Sequence, residues 1–101
     1  MLKPVRATQF KQDVKKLAKS GSKDMSKLKD VITKLINEEK LEEKYQNHPL
    51  KSNGKGFFEC HIEPDWLLIY RVNEKKEELE PARSGSHSEL FQKNVSGLPH
   101  S

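Results

Sequence analysis

A chain of 101 residues has room for one hydrophobic core, which excludes two independent domains. With 33% hydrophobic and 34% charged residues that core is small, and a chain of this size buries only about 60–65% of the surface its unfolded form exposes. The net charge of +4 is uneven: residues 1–50 carry 12 Lys+Arg against 7 Asp+Glu, a balance of +5, and residues 51–101 carry 7 against 8, a balance of −1.

Val5 and Ala7 mark a short opening strand. Thr8 is placed to cap a helix whose apolar positions Phe10, Val14, Leu17 and Ala18 recur at helical spacing, and Ser20-Gly21-Ser22 ends it. A second helix gathers Met25, Leu28, Val31, Ile32, Leu35 and Ile36 on one face, with Lys23, Lys27, Lys29, Lys34 and Lys40 mostly on the other. A lysine face of this kind is either a solvated helix surface or an electrostatic landing surface for RNA. Residues 42–56 are polar, contain Pro49, Gly54 and Gly56, and read as a long loop carrying His48 and Lys51.

Period-2 patterning follows. Phe58, Cys60 and Ile62 alternate with Phe57, Glu59 and His61, so His61 faces away from Cys60. Cys60 is the only cysteine, which excludes an internal disulfide and a zinc–thiolate cage. Glu63-Pro64-Asp65 is a turn, and Trp66 to Val72 is a central strand. The apolar run Trp66 to Tyr70 is far too short to span a bilayer, and Leu2 to Ala7 has no signal-peptide pattern. The chain is therefore expected to be soluble and cytoplasmic. Asn73 to Lys76 is a hairpin turn. Glu77 to Arg83 returns as a strand containing Pro81, which cannot donate to a sheet ladder and implies a marginal strand, an edge or a bulge. Gly85 ends it, and Ser86 with Glu89 forms a capping box for a short helix through Leu90 and Phe91. The predicted class is α+β: an N-terminal strand and two helices packed on one face of a small antiparallel sheet of about four strands, with a short C-terminal helix. Residues 1–92 form the single domain and residues 93–101 a tail, to which His100 belongs.

Three of the four histidines, His48, His61 and His87, fall between residues 48 and 87 together with Asp65, Lys51 and Arg83. Cleaving RNA by internal transfer needs a base for the 2′-hydroxyl, fixed positive charge for the phosphate and an acid for the departing 5′-oxygen. Imidazole, with an ordinary pKa of about 6.5, both gives and takes protons at neutral pH. On spacing alone these residues are equally readable as solvent-facing loop histidines. His87 would stand at the first turn of a helix, where unpaired N–H groups attract phosphate. Arg83 would point at the same phosphate, or else pair with Asp65 or a nearby glutamate. Trp66 and Phe91 are either platforms for stacked bases, each worth about 1–3 kcal/mol, or core residues. Two histidines with a carboxylate are also a common metal-ligand set, but no His-x-His or His-x-x-x-His pair is present and His61 and Asp65 straddle a proline turn. The expectation is therefore a site without metal or cofactor.

The strings His48-Pro49-Leu50, Glu59-Cys60-His61-Ile62-Glu63-Pro64-Asp65-Trp66-Leu67-Leu68-Ile69-Tyr70 and Arg83-Ser84-Gly85-Ser86-His87-Ser88-Glu89-Leu90-Phe91 resemble the YafQ branch of the RelE superfamily of bacterial toxins. The resemblance spans about residues 1–92. It implies the RelE-like fold, a toxin that enters the ribosomal A site and cuts mRNA there, and an antitoxin partner through which operator DNA is reached only indirectly. It implies that His48, His61, Asp65 and His87 are the catalytic group, with Trp66, Arg83 and Phe91 at substrate- or site-supporting positions; Lys51, a cation lying among the histidines, is read as a further substrate contact. In this assignment His87 is the general acid, His48 or Asp65 takes the 2′-hydroxyl proton, and His61 and Arg83 steady the phosphate. Phe58 and Ser52 depart from the pattern of many relatives, as does Pro81, which stands where displacement of Arg83 would weaken the enzyme. The alternative is a catalytically weak or inactive module of the same fold that binds RNA, the ribosome or the antitoxin.

Overall fold

Helical periodicity in the first third of the chain and strand periodicity in the rest divide the molecule into two layers. The computed structural model describes residues 1–50 and 56–90. Its elements are β1 (Lys3–Pro4), α1 (Thr8–Ser20), α2 (Met25–Ile36), a 3-10 turn (Glu43–Tyr45), β2 (His48–Pro49), β3 (Phe57–Glu63), β4 (Trp66–Asn73), β5 (Glu78–Gly85) and α3 (His87–Leu90).

Helix α1 buries Phe10 and Leu17, and α2 buries Leu28, Val31 and Leu35, as their spacing predicts. Ala7 rather than Thr8 occupies the N-cap of α1 and makes no side-chain cap bond; Thr8 is already helical. Gly21 ends α1 at φ 69°, a left-handed conformation in which a side chain would be strained. Asp24 caps α2 by accepting from the Ser26 N–H at 3.0 Å. Its carboxyl is held below the ordinary range, first by the Ser26 hydroxyl and then by that N–H.

The sheet has five strands in the order β1-β5-β4-β3-β2. Strands β2 to β5 pair antiparallel, giving the four expected, while β1 runs parallel to β5 along Lys3↔Glu78 and Pro4↔Leu79. The opening strand thus lies before Val5, where two residues carry no readable period. The predicted loop 42–56 also differs: it contains the 3-10 turn and β2, because His48 and Pro49 pair with Glu59 and Phe58. Pro81 is accommodated by a shift of register, with Ile69 opposite Arg83 and Tyr70 opposite Pro81. β5 therefore runs its full length with Pro81 fully buried in it.

Alternation sorts the side chains. Cys60, Ile62, Trp66, Leu68, Tyr70 and Leu79 face the helices and merge with Phe10, Leu17, Leu28, Val31 and Leu35 into the main core. Leu67, Ile69 and Leu90 form a second, smaller cluster with Leu50, Phe57 and Ala82. β4 is apolar on both faces, which is why it is central.

Candidate functional site

The second sheet face carries the polar chemistry, and strand register arranges it. His48 pairs with Glu59, Glu59 with Ile69, and Ile69 with Arg83, so these residues form one row across β2, β3, β4 and β5. The neighbouring row runs His61, Leu67, Gly85. Adjacent strands lie about 4.8 Å apart, so each row spans little more than the width of a nucleotide or two. A register shift after His61 twists the end of β3 and leads into the turn that holds Asp65.

His48, Glu59 and His61 bring ligand-capable atoms within 4.8 Å of one another. Glu59 is 6% exposed, although strand alternation alone marks it only as facing away from Cys60. A glutamate in an alternating strand reads as solvated, so the sequence does not single it out; its pairing with His48 across the sheet is the missing signal. His48 Nδ1 lies 3.2 Å from the Pro49 carbonyl oxygen, and His61 Nδ1 lies 3.3 Å from the Pro64 carbonyl oxygen. A carbonyl oxygen only accepts, so both contacts place the proton on Nδ1 and leave each Nε2 with its lone pair when the ring is neutral. Two imidazoles prepared in this way can accept a proton or ligate a transition metal, and a carbonyl behind the ring is the usual support for either task. These ligand-capable groups come from two strands rather than one element, so spacing along the chain does not reveal them.

His87 opens α3, and its ring centroid is 5.8 Å from that of His61, tilted by 55°. Asp65 Oδ1 accepts from the His87 backbone N–H at a long 3.4 Å. The capping box is formed as predicted: the Ser86 N–H donates to Glu89 Oε1 at 2.9 Å and the Glu89 N–H to Ser86 Oγ at 3.2 Å. The Ser86 N–H is the main reason that the Glu89 carboxyl is held below its ordinary range. The expected phosphate-attracting helix start is corrected here. Only four residues of α3 are described, and the His87 N–H is engaged by Asp65 and the Glu89 and Leu90 N–H groups by Ser86.

Two further expectations change. Trp66 is completely buried and its Nε1–H donates to Ser84 Oγ at 3.0 Å, so it is a core residue and not an accessible base platform. Arg83 pairs with neither Asp65 nor a glutamate. Its Nε donates to Asp13 Oδ2 at 2.8 Å and its Nη2 to Asp13 Oδ1 at 3.3 Å. Lys51, Phe91, Ser52 and the tail 93–101 lie outside the described residues. Phe58 stacks on Tyr70, with ring centroids 5.7 Å apart, on the helix side of the sheet. Burial pushes the Cys60 thiol up to about 12, with a smaller contribution from Glu59, so it is no nucleophile.

A groove of about 820 Å³ approaches His61 from the α2 side, lined by Lys27, Lys44, Tyr45, His61 and Glu63 among others. Lys27 Nζ reaches Glu63 Oε2 at 2.7 Å, and this hydrogen bond is the chief cause of the raised pKa of the ammonium. No described helix is long and apolar enough to cross a membrane.

The family of bacterial toxins of type II toxin–antitoxin systems described as YafQ matches residues 2–92. A relative from Escherichia coli (strain B / BL21-DE3), named mRNA interferase toxin YafQ, is 48% identical over 84 residues, covering 82% of this chain and 88% of its own. A metal-bound toxin from Helicobacter pylori superposes with a TM-score of 0.84 at 42% identity, over 90% of this chain and 100% of that one. The toxin in the E. coli DinJ–YafQ complex gives a TM-score of 0.79 at 42% identity, over 90% of this chain and 99% of that one.

Proposed function

Because the chain belongs to the YafQ family of bacterial type II toxins, we propose that it is an endoribonuclease that cuts mRNA in the ribosomal A site by acid–base chemistry. The observation that carries this reading is the grouping of His48, Glu59 and His61 on one sheet face with the His87 ring beside His61. His48 Nε2, or the Glu59 carboxylate behind it, takes the proton of the 2′-hydroxyl, and the freed oxygen attacks phosphorus. The bond from phosphorus to the 5′-oxygen breaks, and protonated His87 gives that oxygen its proton. Protonated His61 and Arg83 stabilise the charge on the phosphate oxygens. The products are a 2′,3′-cyclic phosphate and a 5′-hydroxyl, and DNA, lacking the 2′-hydroxyl, is spared. Asp65 holds the start of α3 and thereby the His87 backbone. Lys51 and Phe91 are substrate contacts in this reading on the sequence pattern alone. The relative solved with DinJ supports a cognate antitoxin as partner, with operator DNA reached only through that complex; action on the ribosome makes the cytoplasm the place of work.

A second reading is favoured by one observation, the His48–Glu59–His61 donor set, which suits a transition metal, and by the metal-bound H. pylori toxin. A metal held by these three residues would engage the lone pairs that proton transfer needs, so its expected effect is inhibition.

Primer extension on an mRNA with and without ribosomes, comparing wild type with His87→Ala and adding EDTA to a ribosome-free control, tests the enzyme; repeating the ribosome reaction with a transition-metal salt added tests the metal. Ribosome-dependent cuts that vanish in the variant support the acid–base enzyme, and their suppression by the added transition metal supports an inhibitory metal site. Cuts on free RNA that EDTA abolishes make a metal necessary and sink the metal-free mechanism. Folded protein that binds ribosomes without cutting is the inactive binding module.

A further inference from the structure

Arg83 occupies the same row as His48 and Glu59, two strands from Glu59, but its guanidinium is bound by a residue seventy positions earlier in the chain. Asp13 projects from the second turn of α1 and is only 8% exposed. Its Oδ2 accepts from Arg83 Nε at 2.8 Å and from the Ser84 N–H at 3.0 Å. Its Oδ1 accepts from Arg83 Nη2 at 3.3 Å and, weakly, from Gln9 Nε2 at 3.4 Å. Ser84 extends the network inward: its hydroxyl donates to the Leu67 carbonyl at 2.9 Å and accepts from the buried Trp66 indole. Lys16 and Glu89, paired at 3.3 Å, help to line a cavity of about 160 Å³ beside Asp13 and Arg83.

A half-buried ion pair of this kind contributes little net stability compared with apolar packing, since desolvation offsets most of the attraction. Its consequence is geometric. A free arginine side chain carries rotamer entropy that must be lost when it clamps a phosphate. With Nε and one Nη held by Asp13, that loss has already occurred in folding, while the side chain keeps 23% exposure. Lys16 at the same cavity is paired with Glu89, so Asp13 and Glu89 balance Arg83 and Lys16 there.

We propose that Asp13 is a positioning residue for RNA cleavage, holding Arg83 so that its remaining N–H groups meet the scissile phosphate. The inference rests on the reading of this chain as an RNA-cleaving enzyme in which Arg83 steadies the phosphate. It also assigns a role in the reaction to α1, which otherwise only covers the sheet.

The test is a double-mutant cycle of Asp13→Asn and Arg83→Gln, read as kcat and KM for mRNA on programmed ribosomes, with Tm measured for each protein. Asp13→Asn is expected to lower kcat about 10–100-fold, the size of loss that follows from a misplaced catalytic group, with KM changed much less. In the Arg83→Gln background the same substitution should cost nothing further. An additional loss there would assign Asp13 a structural role, and a kcat above wild type would mean that Asp13 parks Arg83 away from the phosphate; either overturns the inference. Should Asp13→Asn fail to fold, Asp13→Glu decides: it keeps the charge but moves it by a methylene, so a folded variant cutting at the wild-type rate also overturns it. Wild-type protein that never cuts sinks the enzymatic reading and this inference together. Wild-type cutting with an indifferent Asp13→Asn sinks this inference alone.

Discussion

The two faces of the sheet use the same strands for opposite purposes. Toward the helices, Cys60, Ile62, Trp66, Leu68, Tyr70 and Leu79 join the main core, and even the polar atoms there are tied inward, the Trp66 indole to Ser84 and the Tyr70 hydroxyl to Asn47. On the other face a small cluster around Leu67, Ile69 and Leu90 leaves space in the same rows for His48, Glu59, His61 and Arg83. A strand that is apolar on both sides, β4, separates them. One face supplies stability and the other chemistry, and β4 holds both in register.

Substitutions on the two faces should therefore fail differently. The largest expected effect is on the open face: His87→Ala should lower cleavage about 100- to 10,000-fold, the usual contribution of general acid–base catalysis, with its Tm near wild type. A variant that cuts at the wild-type rate would remove His87 from the acid role. On the helix face, Leu68→Ala should cost about 2–5 kcal/mol in chemical denaturation, because its side chain is fully buried. At temperatures where that variant remains folded it should still cleave; loss of cleavage with full folding would show that the two faces are not separable.

Trp66→Phe gives a finer comparison, since it keeps an aromatic ring but removes the N–H that reaches Ser84. It should destabilise the fold by about 1–3 kcal/mol, the cost of leaving a buried partner unsatisfied. An unchanged denaturation midpoint would contradict the core placement. The smallest effect concerns Glu89, whose folded pKa lies below its ordinary value of 4.5. Stability from this group is present above the unfolded pKa and is lost as the pH falls through the lower, folded one. Between neutral pH and the acid side of 4.5, the wild-type Tm should thus fall more than that of Glu89→Gln. Equal falls would show that the capping box does not titrate with folding.

The local features of this molecule were legible because short-range physics produces them. The spacing of Phe10, Leu17, Leu28, Val31 and Leu35 announced two helices with buried faces, and all five are buried. The alternation of Phe58, Cys60 and Ile62 put His61 on the face opposite Cys60, and the Ser86–Glu89 spacing announced a capping box that forms. Elements of two residues were not legible. β1 and β2 have no period to detect, and both exist only because a longer strand offers them a ladder.

The site divides along the same line. Residue types and the three separated motifs were sufficient to single out His48, His61, Asp65 and His87 as candidates and to suggest the family, because the chemistry of imidazole belongs to the side chain itself. Which of these groups meet was decided by tertiary structure. Strand register set Glu59 between His48 and His61, packing withdrew Trp66 into the core, and α1 delivered Asp13 to Arg83. The physical reason is range. Helical spacing, alternation and capping act over a few residues and leave a pattern in the chain, whereas a contact between residues 13 and 83 depends on how whole elements pack and leaves none.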